Sequence, residues 1–401
     1  MSTFREILRQ TFRGPAVQLV PGFGRDVLVF SMRGVADLPA YCVTYEFEDL
    51  VVALTGADRV GPSQLETVEF QRRVYKALYS VARSPSIPMG LTPNLGGLRL
   101  PKDYELFVAA FNSPYEVFAL RSVPDWRARC RRAVCVITEA WESDLPEYLL
   151  RSLQDFDQIY LTANPVASVG RLTGRPCSYL PLGADALALC PEPDAPRRSI
   201  DVLGIGRRSA ITHKALLHLA RDRGLFYYYD TVRSKSVANA SEQVTFSVID
   251  PTEHRFKHAN LLKRSRFFLA SKGRANEARA MHVDEVSSRF FEGAAAGTIM
   301  IGDPPTTGPY LELFDWPDVV IPAPFDDPEI GECIARLDAD PERCVRIRRE
   351  NMRQALLRHD WVYRLRRIFE EANLPIPETV PARETALAQR AAQVQEAAIE
   401  P

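Results

Sequence analysis

Two short stretches of the chain carry residue types suited to holding a phosphorylated ligand. The first is Gly204-Ile205-Gly206-Arg207-Arg208, with Ser209 and Thr212 just behind it. Glycines let a backbone approach a phosphate, a following helix N-terminus favours its charge, and guanidinium groups grip it bidentately. The full dinucleotide fingerprint is absent, and the rival reading is a tight turn with two solvated arginines. The second stretch runs from Ser287 to Asp303 and contains Arg289 and Glu292. Its small residues, Gly293 to Ala296, suit close helix–sheet packing, and Gly297 suits a left-handed helix stop. Neither role explains Arg289 or Glu292. A carboxylate on a helix facing a cleft accepts both hydroxyls of a ribose, whereas an ordinary surface pair three apart contributes only about 0.2–0.5 kcal/mol. Asp284 and Glu285 lie just upstream.

In the first half, Glu139 follows an apolar run and is a candidate carboxylate at a strand end, with the aromatic Trp141 nearby. Asn112 follows another such run and can bind a hydroxyl; Tyr115 is a further aromatic candidate. Asn112 and Glu139 could equally be helix caps, and aromatic residues at such places are more often core. Asp155-Phe156-Asp157 and Asp338-Ala339-Asp340 resemble an Asp-x-Asp metal motif but read as helix or turn features.

The elements that must position these residues alternate. Short, mostly apolar runs at 26–31, 104–111, 133–138, 158–161 and 177–182 read as strands, the first rich in Val and Phe. Helical spacing fits 64–81, a helix start at 112–114, and a short helix at 164–172. Residues 183–199 break the pattern with prolines and small residues, a linker. The alternation then restarts with strands at 200–205, 225–229, 266–270 and 298–302. Helices at 212–223, 258–263, 286–296, 328–337 and from 341 to about 372 accompany them. Strand–helix–strand alternation implies parallel sheets with right-handed crossovers, hence an α/β chain of two Rossmann-like domains. Candidate ligands collect beyond the carboxyl ends of such strands. Residues 373–401 read as an unstructured tail or a loose helix.

At 401 residues the chain exceeds what one hydrophobic core usually spans. Its 50 basic and 51 acidic side chains nearly cancel, leaving no global field to hold nucleic acid. Seven scattered cysteines without a Cys-x-x-Cys pair argue against a disulfide framework and a zinc site. No run reaches the ~20 apolar residues needed to span a bilayer. The reading is cytoplasmic, and Arg5, Arg9 and Arg13 leave peripheral contact with the inner membrane face open.

The block from Ser287 to Asp303 resembles the C-terminal domain of GT-B glycosyltransferases, group 1 or family 4-like, especially the CgeB-like subgroup. The resemblance extends to 180–185, 310–314, 326–340 and Arg358-His359-Asp360-Trp361, and covers roughly residues 105–373. It implies an acceptor domain at 1–182 and a nucleotide-sugar domain at 200–357 facing each other across a cleft. A crossover helix at 358–372 would return to the first domain. It further implies that Glu292 holds the ribose of the nucleotide and that Asp284 contacts the transferred sugar. Asp284 departs from the usual Glu, so Glu285 and His282 remain rivals. Gly206, Arg207 and Arg208, with a second cation from Lys263 or Lys272, would neutralise the leaving diphosphate without a metal; Lys214 is a weaker candidate. All six histidines lie between His213 and His359, so the first domain offers no imidazole base, which points to a retaining reaction. The expected activity moves a sugar from a nucleoside diphosphate donor to a glycan, lipid or small molecule, in glycan biosynthesis of bacterial type. The rivals are a non-catalytic scaffold of the same fold and a nucleotide-sugar epimerase.

Overall fold

The structure is a computed structural model, and it describes residues 17–24, 26–82, 97–140, 147–163, 166–230, 248–273, 275 and 285–399. The chain forms two compact units. The first is Met1–Pro181 with Arg364–Val380, and the second is Leu182–Tyr363 with Pro381–Pro401.

The first unit follows the order β1 (Val17–Val20), β2 (Val27–Phe30), α1 (Cys42–Thr55), β3 (Asp58–Pro62), α2 (Leu65–Ala82), β4 (Tyr104–Phe111), β5 (Cys130–Ile137), α3 (Glu147–Arg151), β6 (Gln158–Leu161), α4 (Val166–Thr173) and β7 (Cys177–Tyr179). Its sheet runs β1-β3-β2-β4-β5-β6-β7, with only the β1–β3 pair antiparallel among the described strands. Because β3 lies on one side of β2 and β4 on the other, strand order reverses between β2 and β4. β4 reads as a nearly unbroken apolar run because it is covered on both faces. The core beneath it stacks Phe107 on Trp126 with ring centres 4.8 Å apart, and Trp126 on Phe156 at 5.0 Å.

The second unit continues with α5 (Ala186–Leu189), β8 (Ile200–Gly204), α6 (Ala210–Arg223), β9 (Tyr227–Tyr229), α7 (Pro251–Lys263), β10 (Ser265–Leu269), α8 (Ser288–Ala295), β11 (Ile299–Gly302), α9 (Gly308–Leu313), β12 (Val320–Pro322), α10 (Ile330–Asp338) and α11 (Pro341–Arg358). Its all-parallel sheet runs β12-β11-β10-β8-β9, so the order reverses between β8 and β10. Val202, Phe267, Ile299 and Ile301 from the sheet pack with Ile330, Ile334 and Ile347 from α10 and α11. Both sheets are thus the doubly wound, Rossmann-like kind.

The C-terminal region departs from expectation. The single long helix read from 341 to about 372 is two helices, α11 and α12 (Trp361–Glu371), broken at His359-Asp360. The break has a tertiary cause. Asp360 bridges to Ala184, accepts the Ala186 N–H at 2.9 Å, and pairs with Arg383 at 2.8 Å. The buried carboxylate thereby outweighs one turn of helix. Within α12, Trp361 belongs to the second unit, and Arg364 onward to the first, where Glu371 accepts from the Tyr160 hydroxyl at 2.7 Å.

Residues 379–396, read as a tail or loose helix, form the helix α13 (Thr379–Glu396) with Val380, Leu387, Ala391 and Val394 buried. The Ala- and Gln-rich composition that suggested disorder leaves an apolar stripe long enough to dock. Arg383 anchors the helix to both Asp185 (2.7 Å) and Asp360.

Nearby, a Cβ on Gly183 would stand 2.9 Å from the Trp361 ring and 3.0 Å from the His359 carbonyl. Gly183→Ala should therefore destabilise the second unit by about 1–3 kcal/mol, as over-packing does. A thermal unfolding temperature equal to the wild type's would contradict this.

Candidate functional site

In the second unit a crevice opens over the carboxyl ends of β8, β10, β11 and β12, at the reversal of strand order. Ligands collect at this place in open parallel sheets. Arg207, Arg208, Lys272 and Arg289 line it, with Ser209, Thr212 and His213 from the start of α6. Three of the four cations come from loops that leave adjacent strands, and Arg289 comes from the first turn of α8.

The local chemistry explains why these residues meet. The turn after β8 is left-handed at Gly206 (φ 75°), where a side chain would be strained, and a Cβ there would press on the end of the Arg289 guanidinium at 2.5 Å, so glycine suits the position. Arg289 donates to the Ile205 carbonyl at 3.0 Å. Burial pulls its pKa downward and the neighbouring Arg207 adds to this, with Glu292 opposing. Among the described residues no carboxylate forms an ion pair with it, so an arriving anion would complete the site. Arg208 lies against Asp230 and over the Tyr229 ring at 5.1 Å. Lys272 faces Asp303 at 3.4 Å. The Ser209 hydroxyl caps α6 by accepting from Ile211 and Thr212, each at 3.1 Å, and donates to Asp326.

Glu292 occupies a different environment from the one the resemblance implies. Its side chain is 4% exposed, with Oε1 2.6 Å from Arg255 and Oε2 3.1 Å from His258. Burial by itself would raise this carboxyl, but Arg255 and His258 outweigh it and hold it well below the usual range. Both oxygens thus tie α8 to α7, and Glu292 is not among the residues lining the crevice. The spacing of three between Arg289 and Glu292 does not make a pair, because the two side chains have different partners.

Other expected residues fall elsewhere. Lys263 donates to the Ala188 carbonyl at 3.1 Å, holding α5 rather than facing the crevice. Lys214 lines a separate outer groove with His218 and Asp222. Glu285 is buried, with its carbonyl accepting from Gly273 at 2.9 Å, and does not line the crevice. Asp157 accepts from the Ala133 amide at 2.8 Å and Asp340 caps α11, so both Asp-x-Asp stretches are structural. Asp284, His282 and Trp141 lie outside the described residues.

In the first unit, Asn112 and Glu139 stand at the carboxyl ends of the neighbouring strands β4 and β5. Asn112 is fully buried. Its backbone N–H donates to Glu116 at 2.8 Å and its side-chain amide to both Glu116 oxygens at 3.3 Å. Glu116 was not singled out from sequence, and its only sequence signal is a position one turn beyond the strand end. Burial pushes its carboxyl up to about 7, against the Asn112 bonds and with help from Glu139. Burial and the two carboxylates together push Tyr41 up to about 12. Glu139 itself is exposed. Among the described residues no group of three His, Cys, Asp or Glu side chains is placed to hold a metal, and no helix is long and apolar enough to cross a membrane.

Comparison with known proteins adds a partial match. Residues 239–370 match the model of the family described as glycosyl transferase-like. No curated protein matches the sequence. Among solved structures, HepE of Anabaena in complex with UDP is 12% identical, with 87% of this chain and 100% of that one aligned at a TM-score of 0.47. A glycosyltransferase from Rickettsia africae is 8% identical, with 88% and 98% aligned at 0.44. The TarM structure is 9% identical, with 67% and 54% aligned at 0.42. The segment that supplies Lys272, Arg289 and Glu292 is therefore glycosyl transferase-like.

Proposed function

We propose that the chain is a glycosyltransferase that takes its sugar from a nucleoside diphosphate donor bound in the crevice of the second unit. The observation that carries this reading is the convergence of Arg207, Arg208, Lys272 and Arg289 at the reversal of strand order, two of them within the glycosyl transferase-like segment. Breaking the sugar–phosphate bond adds a negative charge to the departing diphosphate, which already carries two. Preorganised cations in a partly desolvated crevice stabilise that charge as it develops, the role a metal plays in other transferases. The reading includes no metal. The reading assigns the acceptor, a glycan, lipid or small molecule, to the first unit, where Glu116 and Glu139 supply carboxylates beyond the ends of β4 and β5. Such carboxylates weaken the case for retention that the missing histidine made, since either can serve as a base.

A calorimetric screen of common nucleoside diphosphates and their sugars tests the donor half. At least one should bind, and Arg289→Met should weaken it about 10- to 100-fold, the loss of one charge-assisted contact. If none binds, the reading falls. The engagement of Glu292 favours one rival, a non-catalytic binding scaffold. That protein would bind the nucleotide yet release no sugar to any acceptor or to water.

A further inference from the structure

Resting on the donor reading above, we infer that His213 makes binding in the crevice proton-linked, its ring being neutral in the free protein and imidazolium once the phosphates of a nucleotide sugar lie beside it. His213 lines the crevice from one turn inside α6, along with Arg207, Arg208, Lys272 and Arg289. Aromatic packing holds it there. The Tyr229 ring carries the Arg208 guanidinium at 5.1 Å and meets the imidazole edge-on at 4.8 Å, so the two basic groups are neighbours.

The hydrogen bonding suits a ring that changes charge. Nδ1 lies 3.1 Å from the Tyr227 hydroxyl, the ring's only hydrogen-bond partner among the described residues. A neutral imidazole has one donor and one acceptor nitrogen, and a charged one has two donors. The hydroxyl serves both forms, donating to Nδ1 in the first and accepting from it in the second. Burial pushes Tyr227 itself up to about 12, so this partner stays a neutral phenol. Nε2 is left for a ligand oxygen.

The surrounding charges set the direction. Burial and then Arg208 hold the imidazole below its ordinary 6.5, so the free ring is neutral at pH 7. Among the described residues no carboxylate pairs with it. The acidic groups of the neighbouring loops are engaged elsewhere: Asp230 with Gly206 and Arg208, Asp326 with Ser209, and Asp327 with the Glu329 amide. Lys214, next on α6, lines the outer groove. An arriving diphosphate supplies the missing opposite charge and offsets Arg208, which favours the charged ring. The proton comes from solvent and returns to it when the ligand leaves.

Calorimetry of the full chain at pH 6, 7 and 8 tests this with UDP-glucose, UDP-N-acetylglucosamine, GDP-mannose and ADP-glucose. Both phosphates of such sugars keep their charge across the range, whereas a terminal phosphate titrates near about 6 and would add its own pH dependence. Wild type should bind its best ligand about 10-fold more tightly at pH 6 than at pH 8, since each pH unit by which the ligand raises the imidazole is worth about tenfold. Titration at pH 7 in two buffers of different ionisation enthalpy should show net proton uptake. His213→Gln hydrogen-bonds but takes no proton. It should show no uptake and bind about 10-fold more weakly than wild type at pH 6. His213→Lys, charged throughout, should bind with little change over the range. A wild-type affinity that is flat or weakens toward pH 6 overturns the inference, as does a slope and uptake that His213→Gln retains. Absence of binding to all four sugars refutes instead the donor reading on which the inference rests. Circular dichroism at each pH separates lost binding from lost fold. Should His213→Gln fail to fold, His213→Lys decides, and a wild-type slope in that variant overturns the inference.

Discussion

Glu292→Ala should lower the stability of the second unit by about 3–5 kcal/mol, the usual cost of removing one partner from a buried ion pair. The carboxylate is almost fully enclosed, with Arg255 at 2.6 Å and His258 at 3.1 Å. Its removal leaves the Arg255 charge in a desolvated place without its carboxylate, and opens a void between α7 and α8. The companion experiment is the double variant Glu292→Ala with Arg255→Met, which removes both ends of the pair and should recover much of the loss. Thermal or denaturant unfolding of the second unit reads both effects. A single variant as stable as wild type would show that the pair contributes nothing. The sign with pH is also defined. The carboxyl is held below its ordinary 4.5, so its contribution is present above that pH and is lost as pH falls through the folded value. The same variant therefore makes a poor test of ribose binding, because lost activity would follow from lost fold.

The first unit should show the opposite pH dependence, losing stability as pH rises from 6 to 8. Glu48 on α1 is fully buried, and burial raises its carboxyl from the ordinary 4.5 to about 8, despite the Ser31 hydroxyl at 2.5 Å and the nearby Arg33. Glu116 is raised from the same value to about 7. A carboxyl with a raised folded pKa binds its proton more tightly in the native state. Its stabilising effect is complete below the unfolded value and is lost as pH climbs through the folded one. Each group contributes at most about 1.4 kcal/mol per pH unit, so the two together give a fall on the order of 3 kcal/mol between pH 6 and 8. This unit contains no histidine to mask the effect. Glu48→Gln, which mimics the protonated acid, should remove the larger share and leave the variant more stable than wild type above pH 8. Native-state hydrogen exchange of β4 amides, corrected for the intrinsic pH dependence, isolates this unit from the other. A flat profile for wild type would refute the assignment.

The strand and helix alternation was legible in the sequence because period and length are local properties. The runs at 104–111 and 158–161 match β4 and β6 residue for residue, since each is a buried strand of β-branched and aromatic residues. The corner formed by α8 and β11 was equally legible. Gly293 approaches the Met300 side chain so closely that a Cβ would meet its sulfur at 2.5 Å, and Gly297 takes the left-handed conformation that stops the helix. The strands β1, β3 and β12 were not foreseen. They have only three to five residues each, and β3 carries Arg and Gly in the middle, which conceals a pairing supplied by β1 and β2.

By itself, then, the sequence determined two α/β units, the glycine turn after β8, and a cluster of arginines able to receive an anion. Only the tertiary structure decided which charges meet. Asp230 reaches Gly206 from 24 positions away, Arg289 reaches Ile205 from 84, and Arg255 claims Glu292 from 37. Asp360 breaks the long Arg-rich helix because Ala186 and Arg383 offer it partners that no local pattern reveals. The physical reason is common to all four. A hydrogen bond between distant residues depends on strand order and on the side of the sheet each helix covers, whereas composition and periodicity report only what each segment does with its own neighbours.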